Sequence, residues 1–355
     1  MLAGVRTVAV QEFRVRIRSG RWRWVLAAWF AVVTFFAAVV RSAVAMSSDI
    51  ERVGIPMFGG LMLWVLALAL LVAPALSAQA INGDREGGTL ATLQATRLTP
   101  LEIAAGKLLA AWGTAAIFLA LTLPHVVWSI IAGGVGAVRA LVVLAVVLLL
   151  CGVVCAIALG LSALVARSIT SSVLSYCTVL ALTVGTLVAF GLALPFTQTR
   201  ETKHYPENAA VAVACKRVGA GSGQASPPTR CPTPARGGTI TVTEEHPERV
   251  WWLFAPNPFV VLADSAPRLP PVRDPVTGEP ESRPFDPLGA IGRMARNART
   301  PERDTYLHMV EDPHRPPVWP WGLGFDVLLG AGAFAVTVRR LRTPIRRLPR
   351  GVRVA

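Results

Sequence analysis

The residues of this chain that could do chemistry are few and scattered. Gly106-Lys107 has the ending of a phosphate-binding loop. It is followed by Leu108, however, and lacks the earlier glycine that G-x-x-x-x-G-K-[ST] requires, so it cannot wrap a nucleotide phosphate. His125 stands alone beside Pro124, and His204, His246, His308 and His314 are spread along a polar region without the spacing of paired metal ligands. Neither a G-x-S-x-G elbow nor an H-E-x-x-H helix occurs. Cys151 and Cys155, four residues apart in an apolar run, read as small packing residues. Cys215 and Cys231 lie in polar sequence, where an oxidising exterior would allow a disulfide; two free thiols are the alternative. Asp326, in "WGLGFDVLLG", is an ionisable group inside an apolar run. Such a group costs energy in lipid, and it reads as a substrate-path or gating residue, or as a polar contact at a helix interface or near the outer headgroups. Catalysis gains little support from this inventory.

The elements that would position these residues are long apolar helices. The chain is 53% hydrophobic and only 16% charged, against about a quarter charged in soluble domains. Its mean hydropathy is +0.51. Apolar runs of about 20 residues alternate with short polar breaks, which predicts an all-α polytopic membrane protein. Six spans are expected: residues 24–40, 55–78, 108–132, 140–165, 173–196 and 318–338. The formal charge of +14 could suggest nucleic acid, but membrane topology accounts for it more simply. Pro124 in the third span and Gly160 in the fourth are candidate bending points.

Arg6, Arg14, Arg16, Arg18, Arg21 and Arg23 precede the first span, and Arg339, Arg340, Arg342, Arg346, Arg347, Arg350 and Arg353 follow the last. An even number of spans puts both flanks on one side, and their charge predicts that this side is the cytoplasm. The expected location is the inner or plasma membrane. Residues 1–23, with Val5, Ala9, Phe13 and Ile17 recurring every four, predict an interfacial helix, or else a plain basic flank. Residues 197–317 are rich in proline, glycine and charge and are expected outside, with 339–355 as a basic cytoplasmic tail. Within the outer segment, "VWWLFAPNPFVVLADSA" (residues 250–266) is broken by Pro256 and Pro258 and is too short to span about 30 Å of hydrocarbon. It reads as a Trp-anchored interfacial segment or a cap on the outer domain.

The polar segment between the second and third spans, residues 79–107, carries the most local structure. Thr99-Pro100-Leu101-Glu102 is a helix start, with a capping threonine, a proline at the first position and a glutamate three past the cap. Gly87-Gly88 marks a break. Between them Thr89, Leu90, Leu93, Arg97 and Leu98 fit a short helix, with Asp84 and Glu86 near its N-terminus. Exposed leucines there would make a docking knob for a cytosolic partner; alternatively the helix packs under its own bundle.

The pattern P-x-L-x-A-x-x-I-x-G-D-R-E-x-G-T-L-x-x-L-x-x-T-x-L-x-P-x-E-I-x-x-G-K, from Pro74 to Lys107, resembles the membrane subunit of ABC-2 type transporters. The resemblance extends over roughly residues 10–195 and the last span. It implies that the loop carries a coupling helix, with Glu86, Thr89, Leu90, Leu93, Thr96 and Arg97 meeting an ABC ATPase subunit. Pro100, Glu102 and Lys107 would fix the helix that returns to the membrane. It further implies pairing with a second permease subunit, in a homodimer or heterodimer, and export of a substrate. This chain lacks the LSGGQ signature as well as the phosphate loop, so ATP and magnesium would belong to the partner ATPase. The outer segment is longer than the family's usual re-entrant connection. A rival reading is an ABC-like anchor or regulator of an extracytoplasmic machine; a membrane enzyme acting on lipid-linked substrates is a weaker one.

Overall fold

The computed structural model describes residues 2–18, 20–46, 53–90, 97–204, 239–269, 285–300 and 315–342. Six of its helical stretches are long and apolar enough to cross a membrane. They are α2 (Arg21–Met46), α3 (Gly54–Ser77), α5 with α6 (Pro100–Ala120 and Leu123–Ile131), α7 (Ala137–Leu164), the stretch beginning with α8 (Ser168–Leu180), and α12 (Trp319–Arg342). The chain is an all-α polytopic membrane protein, and these six match the six expected runs.

α7 is apolar from end to end and lies at the centre, packed by α3, α5, α8 and α12. A helix that is hydrophobic all round belongs where neighbours cover every face. The third span is broken between Ala120 and Leu123. Pro124 has no N–H to donate to the Ala120 carbonyl, and just before it the Thr122 hydroxyl and N–H both turn back to the Leu119 carbonyl, at 2.6 and 3.0 Å. Pro124 therefore interrupts its span, whereas α7 runs unbroken through Gly160. A β-carbon at Gly160 would lie 2.8 Å from both the Cβ and the carbonyl oxygen of Ala333, so this glycine sets how closely α7 and α12 approach. Gly160→Val should force the two helices apart at a cost of about 1–3 kcal/mol. Thermal unfolding in detergent would show the loss, and Ala333→Gly in the same chain should recover part of it.

The fifth span continues from α8 through a π turn (Ala181–Gly185), α9 (Thr186–Ala193) and a 3-10 turn (Leu194–Thr197). Beyond it the chain departs from pure helix. β1 (Thr199–His204) and β2 (Thr239–Glu244) form an antiparallel ribbon, with Thr199 opposite Glu244 and His204 opposite Thr239. Alternating β-branched residues in "TITVTE" suit that ribbon.

The stretch at 250–266 forms 3-10 turns and then α10 (Pro258–Ser265), only eight residues long, so it is no seventh span. Val261, Leu262 and Ala263 are buried in the same core as α3 and α7. The segment thus forms a cap on the spans and not on an outer domain, with Trp252 exposed and Trp251 under the Arg299 guanidinium at 4.7 Å. Asn257 starts α10 by accepting from the Phe259 N–H at 2.9 Å. Its Nδ2 donates to the Thr183 carbonyl and the Thr186 hydroxyl, tying the cap to the π turn.

α11 (Pro287–Arg299) packs on α10 and completes the cap. One buried ion pair bolts the cap to the spans, and a second, within the cap, orients the carboxylate that meets the last span. Arg139 of α7 donates to both oxygens of Asp286, at 2.8 and 2.9 Å. Arg296 of α11 donates through Nε to Asp264 Oδ1 at 2.5 Å. The other Asp264 oxygen accepts from the backbone N–H groups of Val318 and Trp319, at 2.6 and 2.8 Å. It thereby satisfies orphan donors at the start of α12. Cys215 and Cys231 lie outside the described residues, as do His308 and His314.

Candidate functional site

At the opposite end from the cap, the loop after α3 meets the N-terminal helix, the start of α5 and the ends of α7 and α12. Leu2–Arg18 forms a helix, α1, and not a plain basic flank. It runs beside the first turns of α5 in the same direction. Gly4 lies against Glu102, and a Cβ at Gly106 would sit 2.5 Å from that of Val8. The face turned inward is Gly4, Val5, Val8, Ala9, Glu12, Phe13 and Arg16, while Ile17 is exposed. The stripe read from spacing is therefore correct at Val5, Ala9 and Phe13 and ends there.

Lys107 is the centre of this end. Its side chain is 1% exposed, and Nζ lies 2.5 Å from both Glu12 Oε1 and Asp84 Oδ2. One ammonium thus holds three elements: α1, the loop and α5. A buried ammonium is tolerated only with such partners. Arg16 adds a second tie, donating to the Leu76 carbonyl at 2.8 Å, near the C-terminus of α3, where cations are favoured. Burial pushes the Arg16 guanidinium below its ordinary value, and the Glu12 carboxylate opposes that.

The loop itself is fastened along its length. α4 (Asn82–Glu86) follows α3, and the Ser162 hydroxyl of α7 accepts from the Ile81 and Asn82 N–H groups at 3.2 Å. Arg85 donates to Asn82 Oδ1 and to the Val165 carbonyl. Glu86 accepts from the Ser168 N–H at 3.1 Å and hydroxyl at 2.8 Å, capping the start of α8. Gly88 takes φ +72°, which is why a glycine stands at this break. Thr99 and Glu102 make the reciprocal capping box read from the sequence, with Pro100 at the first turn.

The expected contact residues separate into two groups. Glu86 is exposed, but its carboxylate is already committed to Ser168. Leu90 is 8% exposed and clusters with Ile81, Ile103, Leu159, Val338 and Leu341. At Leu90 the knob reading gives way to packing under the bundle, because apolar ends of α5, α7 and α12 are there to receive it. Thr89 and Arg97 are exposed. Leu93 and Thr96 lie outside the described residues. Spacing did not reveal Glu12, Asp84, Ser162 and Ser168 as partners.

Asp326, the other candidate, lies far along α12 from this end. Among the described residues no group of three potential metal ligands occurs. His125 Nε2 meets the Thr34 hydroxyl of α2 at 2.9 Å, a contact between spans. Geometry and composition together define a multi-pass helical membrane protein with one heavily tied loop end and one capped end. No family model matches the chain, nor does any curated protein.

Proposed function

We propose that the chain is the permease subunit of an ATP-driven ABC-2 type exporter, with the tied loop end in the cytoplasm as the surface on which a separate ATPase acts. The observation that carries the reading is mechanical. Lys107, Ser162 and Glu86 join the loop to α1, α5, α7 and α8 at once, and Arg16 ties α1 to the end of α3 from which the loop leaves. A push on the exposed side of such a loop moves several spans together. Thr89 and Arg97 are the outward contacts on this reading, and Leu90 is the floor beneath them. A second permease subunit completes the path, and the arginines of both termini face the cytoplasm.

The test is a charge reversal at Arg97 in the full chain. Arg97→Glu should cut co-purification of an ABC ATPase encoded beside this chain about tenfold or more, while membrane insertion and thermal stability stay unchanged. Equal recovery of the ATPase would remove the coupling assignment. Glu86 is the poorer choice for this test, since its loss would also uncap α8.

The rival, an anchor or regulator of an extracytoplasmic machine, draws on the long outer segment, whose cap the Arg139–Asp286 pair fixes to the spans. A deletion confined to residues 205–238 separates the two readings. Transport survives it if the chain is a permease, whereas an anchoring role is lost.

A further inference from the structure

α12 turns one stripe inward: Gly322, Asp326, Gly330, Thr337 and Leu341 are all buried. Asp326 is 1% exposed, and neither of its carboxylate oxygens has a hydrogen-bond partner among the described residues. It sits seven residues into the helix, about 10 Å from the capped end. One turn before it, a Cβ on Gly322 would clash with the Ala255 carbonyl. One turn after it, Gly330 lies against Val153. The carboxyl group is therefore enclosed between the cap and α7.

The charged and titratable groups on the surrounding elements have other occupations. On α7, Arg139 is bound to Asp286, and Cys151 and Cys155 are buried thiols. On α10, Asp264 is held by Arg296 and by the start of α12. On α5, Glu102 is in its capping box and Lys107 is bound by Glu12 and Asp84. On α8, Tyr176 donates to the Leu71 carbonyl at 3.1 Å, and Cys177 is a thiol. On α12 itself, Arg339, Arg340 and Arg342 lie at the far end, about 20 Å or more along the axis. An ionised carboxylate enclosed without donor or cation costs several kcal/mol. A neutral acid costs much less. A proton is also the one cation that needs no void.

We propose that Asp326 is a proton-binding site within the membrane, loaded in this conformation and discharged when α12 shifts off α7 and α10 and admits water. The site makes proton movement a second event in the cycle of this protein, independent of the docking of any ATPase. That independence keeps the tests apart, because ATPase recovery reads only the loop end.

The full chain, labelled with 13C-aspartate and held in lipid nanodiscs, would be examined by infrared spectroscopy at neutral pH. The wild type should show the carbonyl stretch of a protonated aspartic acid, and Asp326→Asn should lose it. Asp326→Glu, should the asparagine variant fold poorly, replaces the labelled band by an unlabelled one. A wild type without a protonated band, or a band that survives both substitutions, overturns the proposal. Thermal unfolding gives a second readout. A folded state that keeps a proton the unfolded state releases loses stability as pH rises above the ordinary carboxylate range, by up to about tenfold in the folding constant per pH unit. Asp326→Asn should lack that slope, and parallel profiles for the two proteins would equally overturn the site.

Discussion

Asp264→Ala should be among the most damaging single substitutions at the capped end, costing about 3–5 kcal/mol. The side chain does two jobs. One oxygen meets Arg296, and the other accepts from the N–H groups of Val318 and Trp319. Removing it leaves a buried guanidinium without its carboxylate and the first turn of the last span without its acceptor. The capping part alone is about 1 kcal/mol, so most of the loss comes from the stranded charge. Asp264→Asn should cost less, since an amide oxygen can still accept. Pairing Asp264→Ala with Arg296→Met should recover part of the loss by removing that stranded charge. Thermal unfolding of the wild type, Asp264→Ala, Arg296→Met and the double variant in detergent measures the coupling; equal losses in Asp264→Ala and the double variant would show that the ion pair is not the source.

Lys107→Met should cost about 3 kcal/mol and free the N-terminal helix. Its ammonium is enclosed, while Glu12 and Asp84 remain about a quarter exposed. Without the cation those carboxylates face one another, although water can reach them, so the cost stays near the lower end for a broken buried pair. The local sign is loss of α1 from α5. Trypsin should then cut at Arg14, Arg16 and Arg18 many times faster than in the wild type. Neutralising all three groups, with Glu12→Gln and Asp84→Asn added, should slow that cutting again. Cleavage unchanged in the single variant would show that Val8 against Gly106 holds α1 alone.

The six spans were legible because hydrophobic length is a local property, and so was the box at Thr99 and Glu102, whose partners are three residues apart. The break at Gly87-Gly88 followed from backbone freedom alone. Partners distant in sequence were not legible. Lys107 could be read as fixing α5, but nothing in its neighbourhood named Glu12. Nothing in the sequence around Arg139 pointed to Asp286, which is 147 residues away. The close approach at Gly160 was not legible for a related reason. A glycine in a span reads as a hinge until the helix crossing it, here at Ala333, is known. Leu90 shows the same gap, since an apolar residue on a short loop helix serves a partner or its own fold with identical spacing.

The tie between Glu12 and Lys107 also sets an order of assembly. The ribosome makes the acid ninety-five residues before the base. The amino-terminal segment therefore cannot make this contact until the start of the third span has been synthesised. Insertion of the first two spans must proceed without it, with only the Arg16 tie to α3 on offer, and its closing records that half of the bundle has been delivered to the bilayer.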